Sequence, residues 1–253
     1  MTTTFVSCIV KLYETEPFEY KNIEWRIEQF KKIARKKIKI VLYLDTSTFF
    51  YFNNIISEFP NVCFLFLDFK ETTIYKECKR EYLELPSNRN EKKDTNDYLA
   101  LMNSKIEYIK DAICKNVWNS NYFAWFDFSM AYLFNNLDDT LSKMEKMQHI
   151  QKDKTFLFIP GCWNKLNNNQ FILNSIHWRF CGTFFIGDKK SLLDFYDAYI
   201  THLPLFLQEH NKLIWEVNFW AWLEKENLIQ PNWYNSDHND KIITELIQES
   251  VFV

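Results

Sequence analysis

Residues Tyr122–Met130 read YFAWFDFSM, apolar and aromatic throughout except for Asp127 and Ser129. A strand buried on both faces reads as such a continuous run, and strands of that kind belong to parallel sheets covered by helices. A carboxylate inside the run is expensive unless it is paired or bound to a cation. Either Asp127 lies in the core with a hidden partner, or the strand ends there and presents the acid to something.

Upstream of this run the chain alternates strand-like and helix-like segments. TFVSCIVKLY, KIKIVLYLD and NVCFLFLDF are strand-like, and the last two run into acids at Asp45 and Asp68. IEWRIEQFKKIARKK carries Ile23, Ile27, Phe30 and Ala34 at helical spacing. FFYFNNIISEF reads as helical, LPSNRNEKKDTND as a polar loop, and YLALMNSKIEYIKDAICKNV as one long helix leading into the Asp127 strand. Such alternation implies right-handed crossovers and a mainly parallel sheet. In open α/β sheets ligands bind outside the carboxyl ends of the strands. Asp45, Asp68 and Asp127 are therefore expected at those ends, with Asp127 on the edge where a ligand sits.

Downstream, LDDTLSKMEKM reads as a helix, TFLFIP as a strand and GCWNKLNNNQ as a mobile loop. WRFCGTFFIGD reads as a strand holding Gly182 and Gly187, followed by a helix from Ser191 to about Gln208 and another over WEVNFWAWLEKEN. No repeat or linker-like shift in composition divides the chain. One domain over 1–253 is expected, with 1–128 as a nucleotide-binding half and 129–253 as an acceptor-side half.

The 253 residues are 47 % hydrophobic and 25 % charged, as in an ordinary globular protein, but 18 % aromatic with only 3 Gly. So few glycines, and no GxxxxGK[ST] or GxGxxG, exclude phosphate binding by a glycine-rich loop. A net charge of −3 argues against nucleic-acid binding, which leaves a basic footprint. The basic run Lys31–Lys37, KKIARKK, reads as the solvated end of an amphipathic helix or as a surface for an anionic membrane. The six cysteines (Cys8, Cys63, Cys78, Cys114, Cys162, Cys181) form no CxxC pair, as expected of a reduced, cytoplasmic chain. The N-terminus lacks the basic and apolar regions of a signal peptide, and no run is long enough for a membrane span.

There is no nucleophile elbow and no HExxH. The candidate groups are dispersed: Lys105, Asp127, Glu216 and Asn218, and Asp237 with His238. Asp127 and His238 would offer a hard oxygen and an imidazole to Mn²⁺ or Mg²⁺, completed by phosphate oxygens. The bland alternative is a capped strand end and a surface histidine.

The ordered set SKIEYIKDAICKN…NYFAWFDFS, WRFCGTFFIGDKKSLLDFYDAY, WEVNFWAWL and NWYNSDHND resembles HtrL/YibB-type proteins, and through them nucleotide-sugar glycosyltransferases of the GT-A fold. The resemblance spans about 104–240 and, more loosely, the first three strands. It implies a GT-A-like α/β fold, a nucleotide-sugar donor (a UDP-sugar above all), a carbohydrate acceptor, and a role in glycan biosynthesis. It places Asp127 on the first acid of the metal-binding DxD element, with Ser129 where the second acid would stand. It puts Val10, Lys105, Gly182 and Thr183 on the donor side, Lys105 near the phosphates and the small residues where the sugar approaches the backbone. Glu216 matches an acceptor-side catalytic acid and His238 a late metal ligand, while Trp215 and Trp222 read either as core or as a sugar platform. Ser129 also leaves open a catalytically weak relative that only binds a glycan or nucleotide. A phosphodiesterase with the same acid and histidine inventory is a third reading.

Overall fold

The computed structural model describes residues 2–13, 16–18, 21–149 and 155–248. The apolar runs become strands of one sheet: β1 (Thr3–Ile9), β2 (Ile40–Leu44), β3 (Val62–Phe66), β4 (Tyr122–Phe126), β5 (Leu157–Gly161), β6 (Phe184–Asp188) and β7 (Asn232–Asn235). Their order is β3-β2-β1-β4-β6-β5-β7. All run parallel except β6, which pairs antiparallel with both β4 and β5. The result is a single α/β domain built on a mainly parallel sheet, as the alternating pattern predicts. The reversal of β6 is a feature the pattern does not carry.

The helices are α1 (Ile23–Ala34), α2 (Thr73–Cys78), α3 (Asn96–Asn103), α4 (Lys105–Lys115), α5 (Leu137–Lys146), α6 (Asn169–Ile172), α7 (Lys189–His210), α8 (Glu216–Lys225) and α9 (Lys241–Thr244). They cover both faces, which is why β1, β2 and β4 are buried at every position. Successive side chains of a strand point to opposite faces. Phe123 and Trp125 accordingly pack with α4, α7 and α8, through residues such as Ile109, Phe206 and Trp220. Tyr122, Ala124 and Phe126 pack instead with Ile27 and Phe30 of α1 and Leu141 of α5. β3 lies at the sheet edge, and there the burial gives way to a half-exposed strand.

Three expectations need correction. The strand read over WRFCGTFFIGD begins only at Phe184, so it holds Gly187 while Gly182 lies in the turn before it. FFYFNNIISEF forms two short 3₁₀ turns, Phe49–Phe52 and Ile56–Glu58, rather than a helix. The long helix before β4 is broken at Ser104 into α3 and α4. Ser104 caps the end of α3, its hydroxyl donating to the Ala100 carbonyl at 2.8 Å. The break makes Lys105 the first residue of α4 and sets its side chain inside the protein. Among the described residues no helix is long and apolar enough to cross a membrane, and all six cysteines are free thiols.

Candidate functional site

Asp127 is the residue immediately after β4, and its N–H donates to the Thr183 carbonyl at 2.9 Å, extending the pairing with β6 by one step. Trp125, two residues back on the same side of the strand, donates its indole Nε1–H to Asp127 Oδ1 at 2.9 Å. The Lys105 ammonium stands 3.0 Å from the same oxygen. The two readings of YFAWFDFSM therefore both hold: the strand ends at Asp127, and the acid has a hidden partner.

Lys105 is nearly inaccessible, with 2 % of its side chain exposed. A buried ammonium needs compensation at each N–H. Its Nζ meets Gly182 O at 2.8 Å, Glu216 Oε1 at 2.9 Å and Asp127 Oδ1 at 3.0 Å, three oxygens for three donors. Burial opposes the charge, but the two carboxylates outweigh it and hold the Lys105 pKa above the ordinary lysine value. Glu216, first residue of α8, is buried with 7 % of its side chain exposed, whereas Asp127 keeps 36 %. Among the described residues nothing donates to Asp127 Oδ2.

Asp127 opens onto a cavity of about 530 Å³ at the carboxyl ends of β1 and β4, lined by Ile9, Val10, Ser129, Thr183 and His238 among others. β2 and β3 extend the sheet from one side of β1, and β4 joins on the other side. The cavity thus lies at the topological switch point, where the connections diverge and leave a crevice. Asp45 and Asp68 also follow their strands closely, yet each is spent on its own turn. Asp45 accepts from the Ser47 N–H at 3.0 Å and the Thr48 hydroxyl at 3.1 Å. Asp68 caps a 3₁₀ turn by accepting from the Lys70 N–H at 3.0 Å. Neither lines the cavity.

His238 enters the cavity from the segment after β7. The Ser236 N–H donates to Gly161 O at 2.8 Å, and Asp240 accepts from the Asn135 and Asn136 N–H groups and the Thr140 hydroxyl, which docks the segment on the start of α5. The imidazole packs edge-on to Trp178, with ring centres 4.5 Å apart. Its Nδ1 faces Asp237 Oδ1 at 3.3 Å, and no described residue bonds Nε2. The N–H of His238 donates to Asp237 at 2.7 Å and holds that carboxyl below its usual range. Among the described residues no group of three or more His, Cys, Asp or Glu side chains could hold a metal ion. Asp127 Oδ2 and His238 Nε2 would alone offer a divalent cation two protein ligands, fewer than its coordination requires.

The structure brings Lys105, Asp127, Gly182 and Glu216 together, but not in the roles expected of them. All three Lys105 donors are taken, so none is left for a donor phosphate. Glu216 lies behind Asp127, ion-paired and outside the cavity lining, where an acceptor hydroxyl does not reach it. Gly182 is small for the sake of Glu216 rather than of a sugar: a Cβ there would sit 2.3 Å from Glu216 Oε1. Asn218 pins the loop before β6, accepting from the His177 N–H and donating to the Ile172 and Ser175 carbonyls. Trp215 is a core residue, and Trp222 packs half-buried against the core, stacked on Phe219. The cavity's aromatic wall is instead made of residues such as Tyr98, Trp125, Tyr132 and Trp178, and its cations are Lys21, Arg26 and Lys93. None of those cations belongs to a recognisable binding motif, so no local signal marks it.

No family model and no curated protein matches the chain. Among solved structures it is similar to 4-diphosphocytidyl-2C-methyl-D-erythritol synthase from Anaerococcus prevotii, at 10 % identity over 93 % of this chain and 89 % of that one, with a TM-score of 0.46. It is also similar to mouse xyloside xylosyltransferase 1, at 9 % identity over 92 % of this chain and 84 % of that one, with a TM-score of 0.44. At these values neither likeness bears on function.

Proposed function

We propose that this protein transfers a glycosyl group from a nucleotide-diphosphate sugar, a UDP-sugar in the first instance, to a hydroxyl of a carbohydrate acceptor. The observation that carries the reading is Asp127: a carboxylate at the switch-point end of β4, one oxygen fixed by Lys105 and Trp125 and the other open to the cavity. A fixed carboxylate oxygen between aromatic walls suits a sugar, whose hydroxyls donate hydrogen bonds and whose C–H faces pack on rings. In the transfer the acceptor oxygen bonds to the anomeric carbon as the bond to the diphosphate oxygen breaks, and the electron pair leaves with the diphosphate. With no cation on it, Asp127 Oδ2 is the atom here that accepts a sugar hydroxyl, orienting it or taking its proton. Glu216 acts through Lys105 as a positioning residue. A divalent cation, when bound, would neutralise the departing diphosphate, with Asp127 Oδ2 and His238 Nε2 as its protein ligands.

The burial of Glu216, together with Ser129 at the second acidic position, favours a second reading: a relative that binds a glycan or nucleotide without turnover. A panel of nucleotide sugars assayed for transfer and hydrolysis, with and without Mn²⁺, separates the two. Turnover that falls by about 100-fold or more in Asp127→Asn supports transfer. Turnover equal in wild type and Asp127→Asn refutes the role of Asp127. Binding of glycan or nucleotide with no turnover establishes the second reading.

A further inference from the structure

Three cations from two parts of the chain line the same cavity: Lys21 just before α1 and Arg26 within it, and Lys93 in the loop before α3. Arg26 bridges the wall, donating from Nε to the Lys21 carbonyl at 2.9 Å and from Nη2 to Glu16 at 3.0 Å. The Lys21 ammonium sits over the Tyr132 ring, 4.2 Å from its centre. That of Lys93 lies 4.8 Å from the centre of Tyr98 and 3.5 Å from Asp94 Oδ1. Glu16 and Asp94 offset part of the charge, yet the cations still disfavour one another. Burial first, then repulsion from Arg26 and Lys93, lowers the pKa of Lys21. Like charges gathered in a half-buried wall are relieved by an anion placed among them.

The cavity is therefore polarised. A phosphate set directly against Asp127 would meet a carboxylate; against Lys21, Arg26 and Lys93 it meets three cations, two of them held on aromatic rings.

We propose that Lys21, Arg26 and Lys93 form a phosphate-binding wall, which takes the diphosphate of the nucleotide without requiring a divalent cation and leaves the uncharged sugar end to face Asp127. This assignment rests on the nucleotide-sugar reading for the identity of the ligand, but the wall itself recognises any compact polyanion of that size. A cation held at Asp127 and His238 would add to this binding rather than create it.

Inorganic pyrophosphate is the probe, titrated calorimetrically in EDTA at low salt. Wild type should bind it, and the affinity should fall steeply as salt rises. Lys21→Gln and Lys93→Gln should each weaken binding about tenfold or more. Lys21→Arg should retain most of the affinity, and circular dichroism should match wild type throughout. No pyrophosphate binding by wild type, or an equal affinity in the Lys21→Gln/Lys93→Gln double variant, overturns the proposal. If these variants lose pyrophosphate while no nucleotide sugar is turned over, the wall stands and the transferase reading fails. Sugar transfer with pyrophosphate affinity indifferent to the cations sinks the wall alone.

Discussion

Replacing Lys105 by Met would leave the Glu216 carboxylate buried without its counter-charge and Gly182 O without its donor. Removing one partner of a buried pair costs about 3–5 kcal/mol, because the remaining charge is stranded. Asp127 adds little to that figure, since it is 36 % exposed and water screens it. For a domain of this size the loss corresponds to a drop of roughly 6–20 °C in Tm. Against a typical total stability of about 5–15 kcal/mol, the variant should fold but melt early. The assay is urea unfolding followed by far-UV circular dichroism, run as a cycle with Glu216→Gln. Because the glutamine side chain carries no charge, the double variant should recover about 2 kcal/mol of the loss. The pKa of Lys105 is raised on folding, so the difference between wild type and Lys105→Met should be fully present below the ordinary lysine value of 10.5 and shrink only as pH climbs through the higher folded value. A loss under about 1 kcal/mol, or no rescue by Glu216→Gln, would mean that Lys105 is not what compensates the buried Glu216 charge.

Two further substitutions probe the surroundings of the site. Gly182→Ala places a methyl 2.3 Å from Glu216 Oε1 and should cost about 1–3 kcal/mol in the same unfolding assay, whereas an unchanged midpoint would show that Glu216 moves freely. His238→Ala should leave the melting temperature within about 2 °C of wild type, since the docking contacts of its segment lie on Ser236 and Asp240. It should also remove any gain in UDP affinity that Mn²⁺ brings. If calorimetry finds that gain intact, His238 is not a metal ligand.

Local pattern was enough to establish the mainly parallel, helix-covered sheet and the position of Asp127 at a strand end. Burial on two faces demands uninterrupted apolar runs, and an acid can follow such a run only where the strand leaves the core. The same local logic read the helix before β4 too long, since Ser104 continues a helical pattern while its hydroxyl closes α3. Everything else depends on contacts between distant segments, which no periodicity encodes. β6 runs against its neighbours because the chain enters it from the far end of the sheet, and that reversal brings Thr183 to the Asp127 amide. Glu216 resembles a catalytic acid in its own segment and becomes a buried counter-ion because Lys105, 111 residues away, has three donors to satisfy in a site closed to solvent. Asp45, Asp68 and Asp127 look alike in sequence, and only the strand order leaves Asp127 alone among them facing a crevice. Lys21, Arg26 and Lys93 are ordinary surface-type charges along the chain, in no shared motif. They become a wall only when β1, α1 and the loop before α3 close around one cavity, because charge repulsion and anion attraction act through space rather than along the sequence.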